Sequence, residues 1–209
     1  MLFDPHRPAG TRYSVEEQAL HEQEDLQRLA IDRSLLSVAQ AYLGCRPVYI
    51  GARMFWSTAL SKEPCSEVAQ LYHFDMPQVR FLKVFVYLTD VGEDQGPHAV
   101  VRGSHRRLPK SLRADRRYDD EEAAREYPAD RFVSVTGSAG TMFAEDTRGL
   151  HKGTPLRHGD RLLLQLQYAS SAYGEPVEPI TVNDRFSAEF VEALERYPRT
   201  YAHRFHRSA

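Results

Sequence analysis

The sequence predicts a mainly β fold with flanking helices, in which antiparallel strands form a sandwich or a barrel. After Pro47, short segments rich in β-branched and aromatic residues alternate with clusters of Gly, Pro, Asp and Ser, which is typical of successive strands and turns. These segments are VYIGARMFWST, FLKVFVYLTDV, HAVVRGSH, RFVSVTGSAGTMFAED and DRLLLQLQYASS. Because 209 residues suit one domain, we predict a single domain over 1–209. Its parts are N-terminal helices in 1–46, a strand-rich core in 47–172, and a C-terminal helix and tail in 173–209.

The N-terminal part is predicted to be helical. Apolar residues recur at helical spacing across 15–44. Ser14 followed by Glu17 has the pattern of a capping box, and Gly44 is a suitable end for the last helix.

Two further segments are predicted around the strands. The segment 110–131 is highly charged and interrupts the strand pattern, so we expect a partly helical insertion with a solvated face. A closing helix, SAEFVEALERYP, is predicted to follow a cap region at 184–187 and to end before Pro198. The tail RTYAHRFHRSA is expected to be a frayed end rather than a site.

The composition limits the classes of function. The formal net charge of -2 gives no indication of a nucleic-acid or anionic-membrane partner. Cys45 and Cys65 match no zinc-site spacing, and a reduced pair is favoured over a disulfide. No apolar run approaches the roughly 18 residues that span a bilayer, and the N-terminus lacks an apolar signal core. The predicted location is therefore the cytoplasm.

The segment LYHFDMPQVR contains the first candidate site residues. His73 and Asp75 are two positions apart, so on a strand both side chains point to the same face. His151 lies between two strand segments, far enough along the chain for several strands to return beside them. Two histidines and a carboxylate on one side of a metal leave open positions, as in non-haem Fe(II) oxygenases. Zinc would accept the same ligands, and a polar surface strand is the alternative without metal.

Arg161 is a second candidate, since it begins the strongly apolar strand RLLLQLQYA. Burying an unpaired cation is costly, and a planar guanidinium suits a carboxylate, which it can bind through two hydrogen bonds. The carboxylate could belong to a ligand. It could equally belong to Asp160 or another internal acid, and spacing alone favours neither interpretation.

In combination, these motifs resemble the phytanoyl-CoA dioxygenase family of Fe(II)- and 2-oxoglutarate-dependent oxygenases. The resemblance covers roughly 50–172, from HFD through FLKVFVYLTDV to QGPHAVVRGSHR, and DTRGLHKG with GDRLLLQLQYA is similar to bacterial members. The motifs are the His-x-Asp, Gly96-Pro97, Gly103-Ser104-His105, the distal His151 and Arg161.

This resemblance implies both a fold and a set of roles. The implied fold is a double-stranded β-helix, a cupin-like jelly-roll barrel, over the strand-rich core. The implied Fe(II) ligands are His73, Asp75 and His151, and Arg161 would bind the distal carboxylate of 2-oxoglutarate.

The chain departs from the family pattern beside the distal histidine. Many relatives place a Ser two positions after it, where this chain has Gly153 followed by Thr154. We predict that the hydroxyl of Thr154 contacts 2-oxoglutarate instead. Lys83, on one face with Phe85 in FLKVFVYL, is predicted to point into the barrel and help bind 2-oxoglutarate. The alternative for Lys83 is the outer face, with its amine in water. The first helix lies close to the start of the chain, so part of the substrate lid is expected to be short.

The predicted function is the hydroxylation of a small molecule by Fe(II), 2-oxoglutarate and O₂, because Asp75 disfavours halogenation, in which a small residue replaces the carboxylate. One alternative is a non-catalytic jelly-roll binding or sensor module, which would have no need to keep all of these residues. Another is a zinc- or manganese-dependent cupin-type enzyme that does not use 2-oxoglutarate, which would have no need for Arg161. No nucleic-acid or membrane partner is expected, and the oligomeric state is not predicted.

Overall fold

A computed structural model of the chain describes residues 3–4, 7–60, 69–174 and 176–207. Cys65, one member of the predicted reduced pair, lies outside these residues, and Cys45 is a free thiol. None of the helices in the described residues has the length and apolar content that crossing a bilayer requires.

Strands dominate the described structure, which confirms the predicted mainly β class with flanking helices. The strands are β1 (Arg12–Ser14), β2 (Val48–Thr58), β3 (Phe81–Tyr87), β4 (His98–Val101), β5 (Phe132–Val135), β6 (Met142–Glu145), β7 (His151–Gly153), β8 (Asp160–Ala169), β9 (Ile180–Val182) and β10 (Phe205–Arg207). One sheet has the order β1-β2-β8-β3-β6, another the order β5-β4-β7, and β10 pairs with β9. In the second sheet, β4 is antiparallel to both neighbours.

The N-terminal helices form as predicted, but as three short separate elements: α1 (Glu17–His21), α2 (Glu24–Ala30) and α3 (Arg33–Leu43). The later helices are α4 (Asp120–Glu126), α5 (Ala188–Arg196) and α6 (Pro198–Tyr201). The predicted cap at Ser14 is wrong because Ser14 ends β1, and the Glu16 carboxylate instead accepts from backbone N–H groups at the start of α1. Gly44 ends α3 in the left-handed conformation, with φ 70°, as predicted.

The charged insertion at 110–131 is partly helical, as predicted. It contains a 3-10 turn at Lys110–Leu112, helix α4, and another 3-10 turn at Ala129–Arg131. Asp119 and Glu122 form a capping box at the start of α4. The buried residues of the insertion belong to an apolar cluster, which we call the tyrosine cluster: Tyr72, Val101, Leu112, Tyr118, Ala123 and Leu150.

The chain divides into two compact units. The first unit comprises Met1–Tyr13, Phe55–Met76 and Val86–Leu163, and it contains the tyrosine cluster and the sheet of β4, β5 and β7. The second comprises Ser14–Met54, Pro77–Phe85 and Leu164–Ala209, and its core includes a group of aromatic rings. These rings are Tyr49, Tyr168, Phe190, Tyr201 and Phe205. The prediction of one domain stays a prediction.

Residues 199–207 of the C-terminal tail form helix and strand structure within the second unit, so the expectation of a frayed end is wrong for this part of the tail. Strand β10 runs parallel to β9, and Phe205 packs against the aromatic rings. Arg204 is 0% exposed and forms an ion pair with Glu17 at 2.6 Å. The basic composition of the tail gave no indication that two of its aromatic side chains, Tyr201 and Phe205, and one cation, Arg204, are buried. The closing helix α5 forms as predicted, with Ser187 accepting from the N–H of Phe190 at its start.

Candidate metal centre

Backbone hydrogen bonds bring His73, Asp75 and His151 together in the first unit. His73 and His151 form an antiparallel bridge, with N–H to carbonyl distances of 3.0 and 2.9 Å. The N–H of Asp75 donates to the carbonyl of Thr147 at 2.7 Å, so the loop before His151 also fixes the carboxylate. All three residues are therefore positioned by main-chain contacts, which do not depend on a bound ion.

The ligand atoms of these residues lie within 4.8 Å of one another, a spacing that a metal ion could bridge. Nε2 of His73 is 3.8 Å from one carboxylate oxygen of Asp75, and Nε2 of His151 is 3.4 Å from the other. The Nδ1 atoms lie 2.9 Å from the carbonyls of Leu71 and Gly149. Since a carbonyl only accepts, each Nδ1 carries the proton and each Nε2 can bear the lone pair that a metal requires.

The ionisation of the two histidines differs. Burial, followed by the neighbouring His151, lowers the pKa of His73 to about 3, which keeps that imidazole neutral. Burial also opposes the charge of His151, but the hydrogen bond to Asp75 and the nearby Glu145 raise its pKa above the ordinary value. A metal ion would displace a proton held between His151 and Asp75 and would then supply the positive charge in its place.

The Gly-Ser-His turn supports the distal histidine through Ser104. The buried hydroxyl of Ser104 donates to the carbonyl of Val101 at 2.7 Å and accepts from the N–H of Leu150 at 2.8 Å. A Cβ on Gly149 would lie 2.7 Å from this hydroxyl, so the turn requires glycine there. The turn thus fixes the residue immediately before His151. The imidazole of His105 takes no part in these contacts.

Arg161 is buried in the first unit, with 5% of its surface exposed. Its guanidinium donates to the carbonyl of Gly96 and, at 3.2 Å, to the hydroxyl of Ser57. Its Nε has no hydrogen-bond partner. Within the described ranges no carboxylate forms an ion pair with it, which removes Asp160 as the internal partner. Burial lowers the pKa of Arg161 to about 10, so this cation is short of the counter-charge that a ligand carboxylate would provide.

The other two predicted co-substrate residues are placed differently. The hydroxyl of Thr154 donates to the carbonyl of Pro97 at 2.9 Å, so its proton is already used within the protein. Lys83 belongs to the second unit, is partly exposed, and has its Nζ 5.9 Å from the centre of the Phe81 ring. Their predicted contacts with 2-oxoglutarate stay predictions.

A hydrogen-bonded pair beside His151, between the buried His98 and the partly buried Glu145, was not predicted from the sequence. Nε2 of His98 lies 2.5 Å from a carboxylate oxygen of Glu145, and the ring of His98 stacks on that of His151 with centroids 5.5 Å apart. Tyr87 supports the pair, since its hydroxyl accepts from the N–H of His98 at 3.0 Å. In the sequence, the one indication of a role for His98 is that it directly follows Gly96-Pro97. The contact itself was not predictable, because it depends on the register of strand pairing.

Comparison with known proteins agrees with this geometry. The family profile described as phytanoyl-CoA dioxygenase (PhyH) matches residues 7–161. The chain belongs to the phytanoyl-CoA dioxygenase (PhyH) family. Family membership confirms the resemblance in the motifs and the prediction of an Fe(II)- and 2-oxoglutarate-dependent oxygenase. No curated protein sequence matches the chain significantly.

Solved structures confirm the fold of this PhyH-family chain. The epimerase SnoN, in complex with Fe3+, alpha ketoglutarate and nogalamycin RO, is 21% identical with a TM-score of 0.60, over 85% of this chain and 73% of SnoN. HygX from Streptomyces hygroscopicus, with nickel and 2-oxoglutarate bound, is 20% identical with a TM-score of 0.56, over 90% of this chain and 78% of HygX. The carbocyclase SnoK from nogalamycin biosynthesis is 20% identical with a TM-score of 0.56, over 79% of this chain and 66% of SnoK. The double-stranded β-helix is therefore the fold that the chain shares with them.

Proposed function

We propose that the chain is an Fe(II)- and 2-oxoglutarate-dependent dioxygenase that hydroxylates a small molecule in the cytoplasm. The convergence of His73, Asp75 and His151 within 4.8 Å carries this proposal, because it supplies two imidazoles and one carboxylate on one side of an ion. Fe(II) and 2-oxoglutarate, when bound, supply the activation of O₂ and the oxidative decarboxylation that yields succinate and CO₂.

The three residues hold the ion through fixed atoms. Nε2 of His73, Nε2 of His151 and a carboxylate oxygen of Asp75 are the ligands, and the carbonyls of Leu71 and Gly149 keep the imidazoles turned toward the ion. Both histidines are buried and Asp75 is partly exposed, so one side of the site is open to an incoming substrate.

Arg161 binds the distal carboxylate of 2-oxoglutarate. Arg161 is buried and forms no ion pair with an acid of the described residues, which supports this role, since a carboxylate would neutralise the guanidinium and could accept from its Nε–H. The contacts with Gly96 and Ser57 orient the guanidinium before the co-substrate arrives. The proposed contacts of Thr154 and Lys83 with 2-oxoglutarate have less support than that of Arg161. The Thr154 hydroxyl already donates to the carbonyl of Pro97, and Lys83 is partly exposed.

Hydroxylation is favoured over halogenation because Asp75 keeps a carboxylate among the ligands. SnoN is an epimerase and SnoK a carbocyclase, so related folds support reactions other than hydroxylation. A reaction with ¹⁸O₂ distinguishes hydroxylation from epimerisation and carbocyclisation by the position of the label in the products. A hydroxylase transfers one labelled oxygen to the substrate and one to succinate, whereas an epimerase or a carbocyclase labels succinate alone.

The first test is an anaerobic titration of the purified protein with Fe(II) and then 2-oxoglutarate, followed by visible absorption. We expect a weak charge-transfer band that is absent in His151→Ala and weakened in Arg161→Ala. Bound iron without a band would instead support a cupin-type enzyme that does not use 2-oxoglutarate. Failure to bind iron at all would support the non-catalytic binding or sensor module.

A further inference from the structure

The tyrosine cluster determines which side chains face the metal centre. Tyr72 and Tyr118 form an antiparallel backbone pair, with N–H to carbonyl distances of 2.9 and 2.8 Å, and both side chains are buried in the cluster. Successive residues of an extended segment point to opposite faces. The next residue after Tyr72 is His73, and the residue before Tyr118 is Arg117. These two residues therefore lie opposite each other, on the face away from the cluster.

Arg117 differs from the neighbouring arginine in its contacts. Arg116 forms an ion pair with Glu122 at 2.6 Å and lies over the Tyr118 ring, 4.0 Å from its centre. Arg117 is exposed, and no acidic or aromatic partner contacts its guanidinium within the described ranges. The pairing of Tyr72 with Tyr118 places this exposed residue opposite His73, at the rim of the metal centre.

The chain that leads to Arg117 is strongly basic. Between 102 and 117 it contains six Arg, one Lys and a single acid, Asp115, in a protein whose formal net charge is -2. Arg106, Arg107 and Lys110 in this stretch are exposed and make no ion pair within the described residues. Four acids follow at 119–122, but three of them are ion-paired: Asp120 with Lys152, Glu121 with Arg125 and Glu122 with Arg116. The segment that ends opposite His73 therefore carries a net positive charge, which would attract an anion.

We propose that Arg117 binds an anionic oxyacid group of the substrate, a carboxylate or a phosphate ester, at the rim of the metal centre. The proposal rests on the function proposed above and narrows its substrate to small molecules that carry such a group. A guanidinium can bind either group through two parallel hydrogen bonds, which fixes orientation as well as position. Arg161 takes the co-substrate carboxylate, so Arg117 is the cation left for the substrate on the face of His73.

The test uses ligand-observed NMR with Mn(II)-loaded protein and saturating 2-oxoglutarate. The probes are phenyl phosphate and benzoate, with phenol and benzamide as neutral counterparts of similar shape. Mn(II) shortens the proton relaxation times of a molecule that binds near it, so the signal reports proximity to the metal without turnover. The Zn(II)-loaded protein and His151→Ala give the background.

We expect that only the anionic probes show shortened proton relaxation times. Their affinity for the protein should be about tenfold weaker in Arg117→Gln. Arg113→Gln is the matched control, because Arg113 is an exposed arginine of the same segment that donates to the carbonyl of Leu108. It should bind the probes as the native protein does. Equal shortening of the relaxation times of neutral and anionic probes, or unchanged probe affinity in Arg117→Gln, would overturn the proposal for Arg117. Neither result would contradict the proposed metal centre. A protein that binds no Mn(II) would overturn both.

Discussion

Among the described residues, each unit buries one guanidinium, and the two differ in their partners. In the second unit, Arg204 is 0% exposed and pairs with the carboxylate of Glu17 at 2.6 Å. In the first unit, Arg161 is 5% exposed, and its hydrogen-bond partners among the described residues are the carbonyl of Gly96 and the hydroxyl of Ser57. Both lie where desolvation of a cation is unfavourable, but of the two only Arg204 has an ion-paired carboxylate among the described residues.

Under the proposed function, Arg204 is a cation that supports the fold, whereas Arg161 is a cation that binds the carboxylate of 2-oxoglutarate. Gly51, with φ 150°, lies against the Arg204 pair, and a Cβ there would come 2.4 Å from a carboxylate oxygen of Glu17. The backbone is thus shaped around the ion pair. Arg161 is held in place by neutral oxygens, which orient the guanidinium and leave its charge unbalanced. Substitution of Arg161 should therefore affect mainly the binding of 2-oxoglutarate, and substitution of Arg204 mainly the stability of the fold.

The largest effect is expected for Arg161→Met on co-substrate binding. Loss of the charged partner should weaken 2-oxoglutarate affinity by about 2–5 kcal/mol, which is roughly 30-fold to several thousandfold. Stability should be unchanged or higher, since an apolar side chain replaces a buried cation that has no acid partner. The measurements are the charge-transfer titration with Fe(II) bound and the thermal midpoint of the protein without 2-oxoglutarate.

Arg161→Lys is the matched control for this prediction. It keeps one charge but loses the fork of N–H donors, so its affinity should lie between those of the native protein and the Met variant. A Met variant that loses stability while its 2-oxoglutarate affinity is unchanged would show that Arg161 is structural, as Arg204 is.

The next effect is expected for Arg204→Met, on stability. Removing the cation leaves Glu17 without its partner, so the free energy of unfolding should fall by about 3 kcal/mol, with co-substrate affinity unchanged. Denaturant unfolding of Arg204→Met, Glu17→Gln and the double variant measures the coupling between the two residues. Additive losses in the double variant would mean that the ion pair itself contributes little.

The two arginines also show what the sequence can and cannot predict. The burial of Arg161 was predictable from its position at the head of an apolar strand, and the grouping of His73, Asp75 and His151 from the types and order of these residues. Arg204 was missed because it lies in a basic tail, whose composition is typical of a solvated end. The outlines of most strands were predictable from β-branched and aromatic runs, and β2 coincides with the segment VYIGARMFWST.

Contacts that depend on register were not predictable. His98 reaches His151 because Val100 pairs with His151 in the antiparallel ladder of β4 and β7, and His98 lies two residues away on the same face. Glu145 reaches His98 from a different sheet. Neither relation has a signature along the chain, because a shift of one residue in the pairing would turn His98 to the opposite face.

A smaller effect is expected for Gly153→Ser, which would add the hydroxyl that many relatives carry at this position. A Cβ on Gly153 would lie 3.4 Å from Nη2 of Arg161, an ordinary contact distance, so the site has room for the side chain. We expect a roughly three- to tenfold gain in 2-oxoglutarate affinity from one added hydrogen bond beside the guanidinium. Gly153→Ala provides the same Cβ without the hydroxyl and should show no gain. Equal gains in both variants would assign the effect to the backbone rather than to the hydroxyl.

The smallest effect is expected for Thr154→Val, which tests whether this residue belongs with the binding or the structural contacts. Its hydroxyl donates to the carbonyl of Pro97 at 2.9 Å, and its backbone N–H donates to the same carbonyl at 3.0 Å. Since the second bond remains in the Val variant, the loss in unfolding free energy should be about 1 kcal/mol or less. Co-substrate affinity should be unchanged because the Thr154 hydroxyl proton already has an acceptor. A clear loss of 2-oxoglutarate affinity at unchanged stability would instead place Thr154 beside Arg161 as a ligand-binding residue.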